Sequence, residues 1–293
     1  MKKRPPSRPT PGPAMARAGL ARAHGIAKET LAALPAAPGV YEFYGDGELP
    51  LYIGKSIDIR ARVLSHLREP LEAGMMRQTR RVEWSRTAGE IGALLLESRL
   101  IKARQPLFTQ RLRSSRELCS WRCSLEAPQQ PPALVFSRDV DFATADDLYG
   151  LFVSAAAARR FLVALAEEHR LCLAALGLEA PSRRGCFGLQ LGRCLGVCAG
   201  GEDSALHALR LRAALQDSQV HRWPFADAVG LVEGDGPWSQ THVVRKWCYE
   251  RTIDDSAPPG RSLESTAADF DVDAYRILVK PLLAGTCELV VLS

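Results

Sequence analysis

Between residues 39 and 56 the chain reads GVYEFYGDGELPLYIGKS. No other stretch constrains the fold as tightly. Val40, Tyr41, Phe43 and Tyr44 favour a strand, as do Leu51, Tyr52 and Ile53. Asp46-Gly47 is a strong turn signal between them, and Pro50 marks the entry of the second strand. The expected element is a β-hairpin with a glycine-flanked tyrosine on each arm, followed at once by Lys55 and an arginine-bearing helix.

That helix begins after Ser56, read here as its cap, with Asp58 in the first turn. Ile59, Val63 and Leu67 recur every four residues and form its buried stripe, while Arg62 and His66 share another face. A third strand is expected within 77–83. Thr87-Ala88-Gly89-Glu90 reads as a capping box opening a second helix with Ile91, Leu94, Leu95 and Ser98 on its core face. Glu97 is an acid in the apolar run LLLESRLI, and Pro106 stops the helix.

The expected organisation is α/β in the α+β sense. A disordered basic arm covers 1–28, rich in proline and arginine, and a small β-hairpin/helix domain covers 29–115. A β/α module with a four-cysteine loop covers 116–217, and a C-terminal α+β domain covers 218–293. Strand-like runs include ALVFSRDV, LYGLFV, ADAVGLVEG, THVVRKWCYE, YRILVKP and CELVVLS, with a Pro/Gly/Ser-rich loop near 255–263; helices are expected over 155–176 and 203–217.

Charge is unevenly spread. Residues 1–28 carry seven Lys or Arg and no acid, and 55–116 carry fourteen basic against six acidic residues. The chain as a whole is +5, so a basic front half precedes an acidic rear half. This suits a polyanion partner at the front, or a solvated surface of salt bridges. No apolar run is long enough for a membrane span, no secretory signal is evident, and a cytoplasmic location is expected.

Eight cysteines without a signal peptide argue against a disulfide scaffold. Cys119, Cys123, Cys248 and Cys287 sit among apolar residues and read as core. Cys172, Cys186, Cys194 and Cys198 cluster in a segment with six glycines between 185 and 201. Structural zinc prefers closely spaced pairs, which only the last two approach; four thiolates also suit an iron–sulfur cluster. Arg183, Arg184 and Arg193 flank this loop.

Cutting a phosphodiester needs a hard cation held by oxygen, a cation beside the phosphate, and a route for the water's proton. Glu97 supplies a carboxylate. Lys55, Arg62 and His66 supply cations and proton traffic, and Tyr41 and Tyr52 supply hydroxyls. Each taken singly is an ordinary packing or surface residue; together they suggest a nuclease.

GVY…YIGKSIDIRARVLSH…LLLESRLIK resembles the GIY-YIG nuclease domain, in the version found in the UvrC excision-repair nucleases and their short Cho relatives. The resemblance continues through RELCSWRC, DLYGLF, the cysteine loop and YRILVKPLL, and the length suits the short branch. It implies Tyr41 as general base, Tyr52 orienting water or phosphate, and Lys55 and Arg62 on the scissile phosphate. It further implies His66 accepting the Tyr41 proton and Glu97 as the protein ligand to Mg²⁺ or Mn²⁺. Thr109 stands where many relatives carry asparagine. The cysteines Cys172, Cys186, Cys194 and Cys198 are implied to hold a [4Fe–4S] cluster, with zinc as the alternative. The implied activity is incision of damaged double-stranded DNA on the 3′ side of a lesion, with UvrB as partner docking through the C-terminal domain. The competing readings are a UvrB-independent, structure-specific endonuclease and a non-catalytic DNA- or UvrB-binding module. Asp269, Asp271 and Asp273 read as capping or solvating acids rather than a second metal site, and Trp223, Phe225, Trp238 and Trp247 as core more than as a surface patch.

Overall fold

A computed structural model describes residues 24–109, 117–124, 126–127, 129–180, 185–254 and 270–292. The basic arm up to residue 23, Arg183, Arg184, Asp269 and the loop near 255–263 lie outside the described residues. The fold is mixed α and β, with three antiparallel sheets among the described residues.

The first sheet has the order β2-β1-β3, with β1 (Gly39–Tyr44) between β2 (Pro50–Ser56) and β3 (Arg81–Arg86). A short α1 (Lys28–Ala33) leads into it. As the central strand, β1 is buried along its whole length, and successive side chains face opposite ways. Tyr41 and Phe43 pack with Ile59 and Val63 of α2 (Ile59–His66) and with Met75 and Met76 of α3 (Ala73–Gln78). On the opposite face, Val40 and Ile53 pack with Ile101 of α4 (Glu90–Arg104). Arg104 at the end of α4 donates to Glu42 and to Tyr44, each at 2.5 Å, pinning the helix to β1.

The second sheet, β5-β4-β6, comprises β4 (Cys119–Arg122), β5 (Ala133–Phe136) and β6 (Leu148–Phe152). It is covered by Ala158, Leu162 and Ala166 of α5 (Ala155–Glu168), while α6 (Phe187–Gln190) lies in the cysteine loop and α7 (Ser204–Leu215) adds Leu211 and Leu215. The third sheet, β10-β7-β8-β9, is formed by β7 (Ala228–Asp235), β8 (Trp238–Arg245), β9 (Cys248–Asp254) and β10 (Glu288–Leu292). It packs with α8 (Val272–Leu283) around Val229, Leu231, Val244, Trp247, Tyr275 and Leu278. Leu95 of α4 belongs to that same core, so this helix is shared with the C-terminal sheet.

Several local expectations are corrected. Residues 77 and 78 end α3, and the third strand starts only at Arg81. The cap of α2 is Asp58, whose carboxylate accepts the Ala61 N–H at 2.8 Å; Ser56 instead hydrogen-bonds Asp58. The expected capping box at 87–90 does not form. Thr87 donates to the Gly89 carbonyl, and the capping oxygens come from Glu233. The helix expected over 155–176 ends at Glu168, because Arg170 adopts a left-handed backbone (φ 51°) that turns Leu171 and Cys172 inward. THVVRKWCYE is two strands joined at Lys246 and Trp247, both at positive φ, which lets the Trp247 ring fill the core.

YRILVKP, read as strand-like, lies inside α8. Asp271 caps it by accepting from Asp273 and Ala274, and Ala274, Tyr275, Leu278 and Leu282 form its buried stripe. Tertiary packing of a 3/4-spaced stripe outweighs the strand preference of its β-branched residues. Trp223 and Trp247 are core, Phe225 packs against them, and Trp238 hydrogen-bonds Asp254. Among the described residues no helix is long and apolar enough to cross a membrane.

Candidate active site

The hairpin register sets Tyr41 opposite Gly54, and Phe43 opposite Tyr52. Tyr41, Phe43 and Tyr52 thereby gather around the His66 imidazole, at centroid distances of 5.4, 5.3 and 5.3 Å. His66 is the last residue of α2, and its ring is fully buried. Its Nε2 lies 2.6 Å from the Tyr41 hydroxyl. Its Nδ1 lies 2.5 Å from Glu72 Oε2. Glu72 comes from the 3₁₀ turn Pro70–Glu72 that follows the helix.

Burial disfavours the charged form of both members of the Tyr41–His66 pair. Burial, with Tyr52 alongside, pushes the Tyr41 phenol well above its ordinary value; Arg62 acts the other way, by charge and by a hydrogen bond. Burial also holds His66 below the ordinary histidine value. Glu72 opposes that, and Arg62 adds to it. Arg62 lies one turn before His66 on α2; the residue is exposed, and its guanidinium lies against the Tyr41 phenol.

Gly54 explains the glycine next to the second tyrosine. A Cβ there would lie 2.5 Å from the Tyr41 hydroxyl and 2.6 Å from the Tyr52 ring. Only a residue without a side chain lets Tyr41 lie across β2. The next peptide N–H, of Lys55, donates to Glu97 Oε1 at 2.9 Å. The linked contacts from Tyr41 through Gly54 and Lys55 to Glu97 bound their separation to roughly 10 Å. Glu97 thus reaches the edge strand β2 from α4, at the peptide that follows Gly54.

Burial raises the Glu97 carboxyl above its ordinary value, against the pull of the Lys55 amide and charge. Among the described residues only its Oε1 accepts a hydrogen bond, and Oε2 is an oxygen donor of the kind a hard cation takes. The Lys55 ammonium is held 2.5 Å from Glu90, at the start of α4. Thr109 is partly buried just beyond α4.

Of the six residues assigned from the sequence, Tyr41, Tyr52, Arg62 and His66 form one cluster. Lys55 and Glu97 lie at its edge, joined by the Lys55 amide. Two participants escaped that reading. Glu72 follows His66 by six residues, a spacing with no motif behind it. Glu233, on β7, accepts the Ile91 and Gly92 amides at 2.9 and 2.6 Å, capping the helix that carries Glu97. His242 Nε2 lies 3.0 Å from Glu233, and Gln240 accepts the Ala88 amide at 3.0 Å. At the far end of α4, Lys102 reaches Asp271 at 2.7 and 2.8 Å and Asp273 at 3.0 Å, so a lysine ammonium already sits between those acids.

The cysteine loop also closes on itself. The sulfurs of Cys172, Cys186 and Cys194 lie within 4.8 Å of one another. Cys186 is 3.7 Å from Cys172 and 3.4 Å from Cys194, and its amide donates to Cys198 Sγ at 3.3 Å. Burial pushes the Cys194 thiol up to about 12 and Cys198 to about 11. At Cys186 burial is outweighed by the Leu189 amide and the surrounding thiols, so its pKa falls. Three thiols this close, with Cys198 at the Cys186 amide, cannot all ionise without a cation among them.

Protein-family models match three successive stretches. They are a UvrC-like GIY-YIG domain over residues 37–109, the middle domain of UvrC/Cho excinucleases over 118–217, and the excinuclease Cho C-terminal domain over 228–293. Excinuclease cho from Escherichia coli (strain K12) is 48% identical over 258 residues, covering 87% of this chain and 86% of that protein. The Salmonella typhi excinuclease cho is 47% identical over 262 residues, covering 89% and 88%. The GIY-YIG N-terminal endonuclease domain of Thermotoga maritima UvrC, solved with magnesium, is 29% identical. It covers 28% of this chain and 93% of that chain, with a TM-score of 0.25.

Proposed function

The chain belongs to the excinuclease Cho family, DNA endonucleases of nucleotide excision repair built on a GIY-YIG domain, and we propose that it cuts one phosphodiester on the 3′ side of a lesion in a complex with UvrB. The observation that carries the chemistry is the 2.6 Å hydrogen bond between Tyr41 and His66 beside the exposed Arg62.

A buried, neutral phenol is a poor base by itself. Joined to a neutral imidazole, it becomes a relay. As a water oxygen bonds to phosphorus, its proton passes to the Tyr41 oxygen and the phenolic proton passes to His66 Nε2. The bond from phosphorus to the leaving oxygen breaks, and that oxygen is protonated by solvent. Arg62 stabilises the charge on the non-bridging oxygens, and Tyr52 orients the water or the phosphate. Lys55, once released from Glu90, adds a second cation. Glu97 is the residue suited to hold Mg²⁺ or Mn²⁺, which supplies Lewis-acid stabilisation of the phosphate when bound.

The four cysteines are proposed to hold a metal centre. Their donor set fits the [4Fe–4S] cluster implied by the resemblance. The 3.4 and 3.7 Å sulfur separations at Cys186 also fit the second reading, a single zinc ion, with Cys198 outside the close sulfur trio. Bonds of about 2.3 Å set the edge of a sulfur tetrahedron near 3.8 Å, whereas a cluster binds each thiolate through a different iron and spreads them. Iron and zinc content of anaerobically purified protein separates the two.

The C-terminal domain is the proposed UvrB-docking module. Its inner surface already packs α4, so docking uses the remaining faces. Incision of a duplex with one defined lesion, measured with and without UvrB, tests the whole reading. Cutting only with UvrB, 3′ of the lesion, supports it. Equal cutting without UvrB favours a free-standing, structure-specific nuclease. DNA binding without cleavage under Mg²⁺ or Mn²⁺ favours a non-catalytic module.

A further inference from the structure

The buried imidazole of His66 has hydrogen-bond partners on both nitrogens, and the two partners are chemically unequal. Tyr41 can donate or accept. The Glu72 carboxylate, when ionised, can only accept. A neutral histidine carries one N–H, and the partner that must receive it decides which nitrogen holds it. Glu72 therefore places the hydrogen on Nδ1 and leaves the Nε2 lone pair facing the Tyr41 hydroxyl. The opposite tautomer would set a lone pair against a carboxylate and would reverse the Tyr41 hydrogen bond, turning the phenolic proton away from its acceptor.

The turn that carries Glu72 is built to deliver it. The Glu69 amide donates to the His66 carbonyl and the Glu72 amide to the Glu69 carbonyl, at 3.3 and 3.1 Å. The Glu69 side chain caps the Leu71 amide. Met75 and Met76, in the next helix, are buried in the same core as Tyr41 and anchor the turn from the other side. The Glu72 side chain keeps 31% of its exposure, so packing alone does not account for its orientation.

We infer that Glu72 is a positioning residue for DNA cutting, fixing the His66 tautomer so that Nε2 can take the Tyr41 proton. The inference rests on the relay proposed above. It assigns the relay a third member, in the order Tyr41, His66, Glu72, arranged as a carboxylate behind an imidazole behind a hydroxyl.

The test uses the full chain in single-turnover cleavage of a lesion-bearing duplex with Mg²⁺ and UvrB present, comparing wild type with Glu72→Ala, Glu72→Gln and Tyr41→Phe. Glu72→Ala is expected to lose roughly 10²-fold in cleavage rate with unchanged DNA affinity. Its acid limb should move to lower pH, because His66 loses the upward pull of Glu72 and keeps the downward effects of burial and Arg62, with Tyr41 and Tyr52 its other titratable neighbours. Glu72→Gln retains an acceptor for Nδ1–H and should stay within about tenfold of wild type. The ¹⁵N signals of His66 report the tautomer directly: a single Nδ1–H form in wild type and in Glu72→Gln, and a mixture in Glu72→Ala.

Wild-type cleavage and an unmoved acid limb in Glu72→Ala, or an unchanged His66 tautomer there, overturn the inference. Wild-type cleavage by Tyr41→Phe overturns the relay beneath it instead. Should Glu72→Ala fail to fold, a Glu72→Gln variant that folds, has lost the Nδ1–H tautomer and still cleaves at the wild-type rate overturns the inference.

Discussion

Glu233 accepts the backbone N–H of Gly92 at 2.6 Å, across 141 residues of chain. A helix N-terminus leaves its first amides without intrahelical partners; here the C-terminal sheet supplies the acceptor. The helix so capped is α4, which holds Glu97 against β2. The C-terminal domain therefore forms part of the frame that sets the proposed metal ligand, in addition to any docking role.

Gly92 makes this testable. Helix propensity alone says that Gly92→Ala stabilises by up to about 1 kcal/mol. The structure says the reverse, because the new Cβ would sit 2.6 Å from the His242 ring, which is wedged behind Glu233. The expected outcome is destabilisation of about 1–3 kcal/mol, read as a lower midpoint in denaturant unfolding. A raised midpoint would show that the interface yields freely.

Glu233 also predicts a pH dependence. Burial pushes its carboxyl up, but His242 and the Gly92 and Ile91 amides outweigh burial, and its folded pKa lies below the ordinary 4.5. A depressed carboxylate contributes stability that is fully present above its unfolded pKa and lost as pH falls through the folded one. Thermal stability should therefore fall as pH drops below about 4.5, and Glu233→Gln should flatten that part of the profile. Parallel wild-type and Glu233→Gln profiles would contradict the assignment.

At Gly54 the expected effect is on rate. Gly54→Ala would drive its methyl against the Tyr41 hydroxyl, displacing it from His66. Cleavage should fall by roughly 10²-fold or more, while DNA affinity changes little. The loss should exceed that of an alanine at the exposed Gly47, where a Cβ meets nothing within 4 Å. Equal activities would separate Tyr41 from the chemistry.

Much of this arrangement was legible in residue order, and the remainder was not, for physical reasons. The hairpin was readable because Asp46-Gly47 and the flanking aromatic runs act locally. Arg62 and His66 were readable as neighbours because helical spacing is local too. Glu72 follows a turn whose conformation owes as much to Met75 and Met76 in the core as to its own residues. Glu233 reaches α4 only through tertiary docking, so Thr87 and Glu90 offered a plausible but incorrect cap. The α8 segment reads locally as a strand because Tyr, Ile and Val favour strands, whereas the Asp271 cap and the stripe through Tyr275, Leu278 and Leu282 decide for helix.

The most direct measurement is cleavage of a single-lesion duplex by Glu97→Ala under Mg²⁺ with UvrB present, alongside its DNA-binding isotherm. DNA bound with near wild-type affinity and left intact is the expected result. Undiminished cutting by that variant would contradict the assignment of Glu97, and with it the site formed where α4 meets the edge of β2.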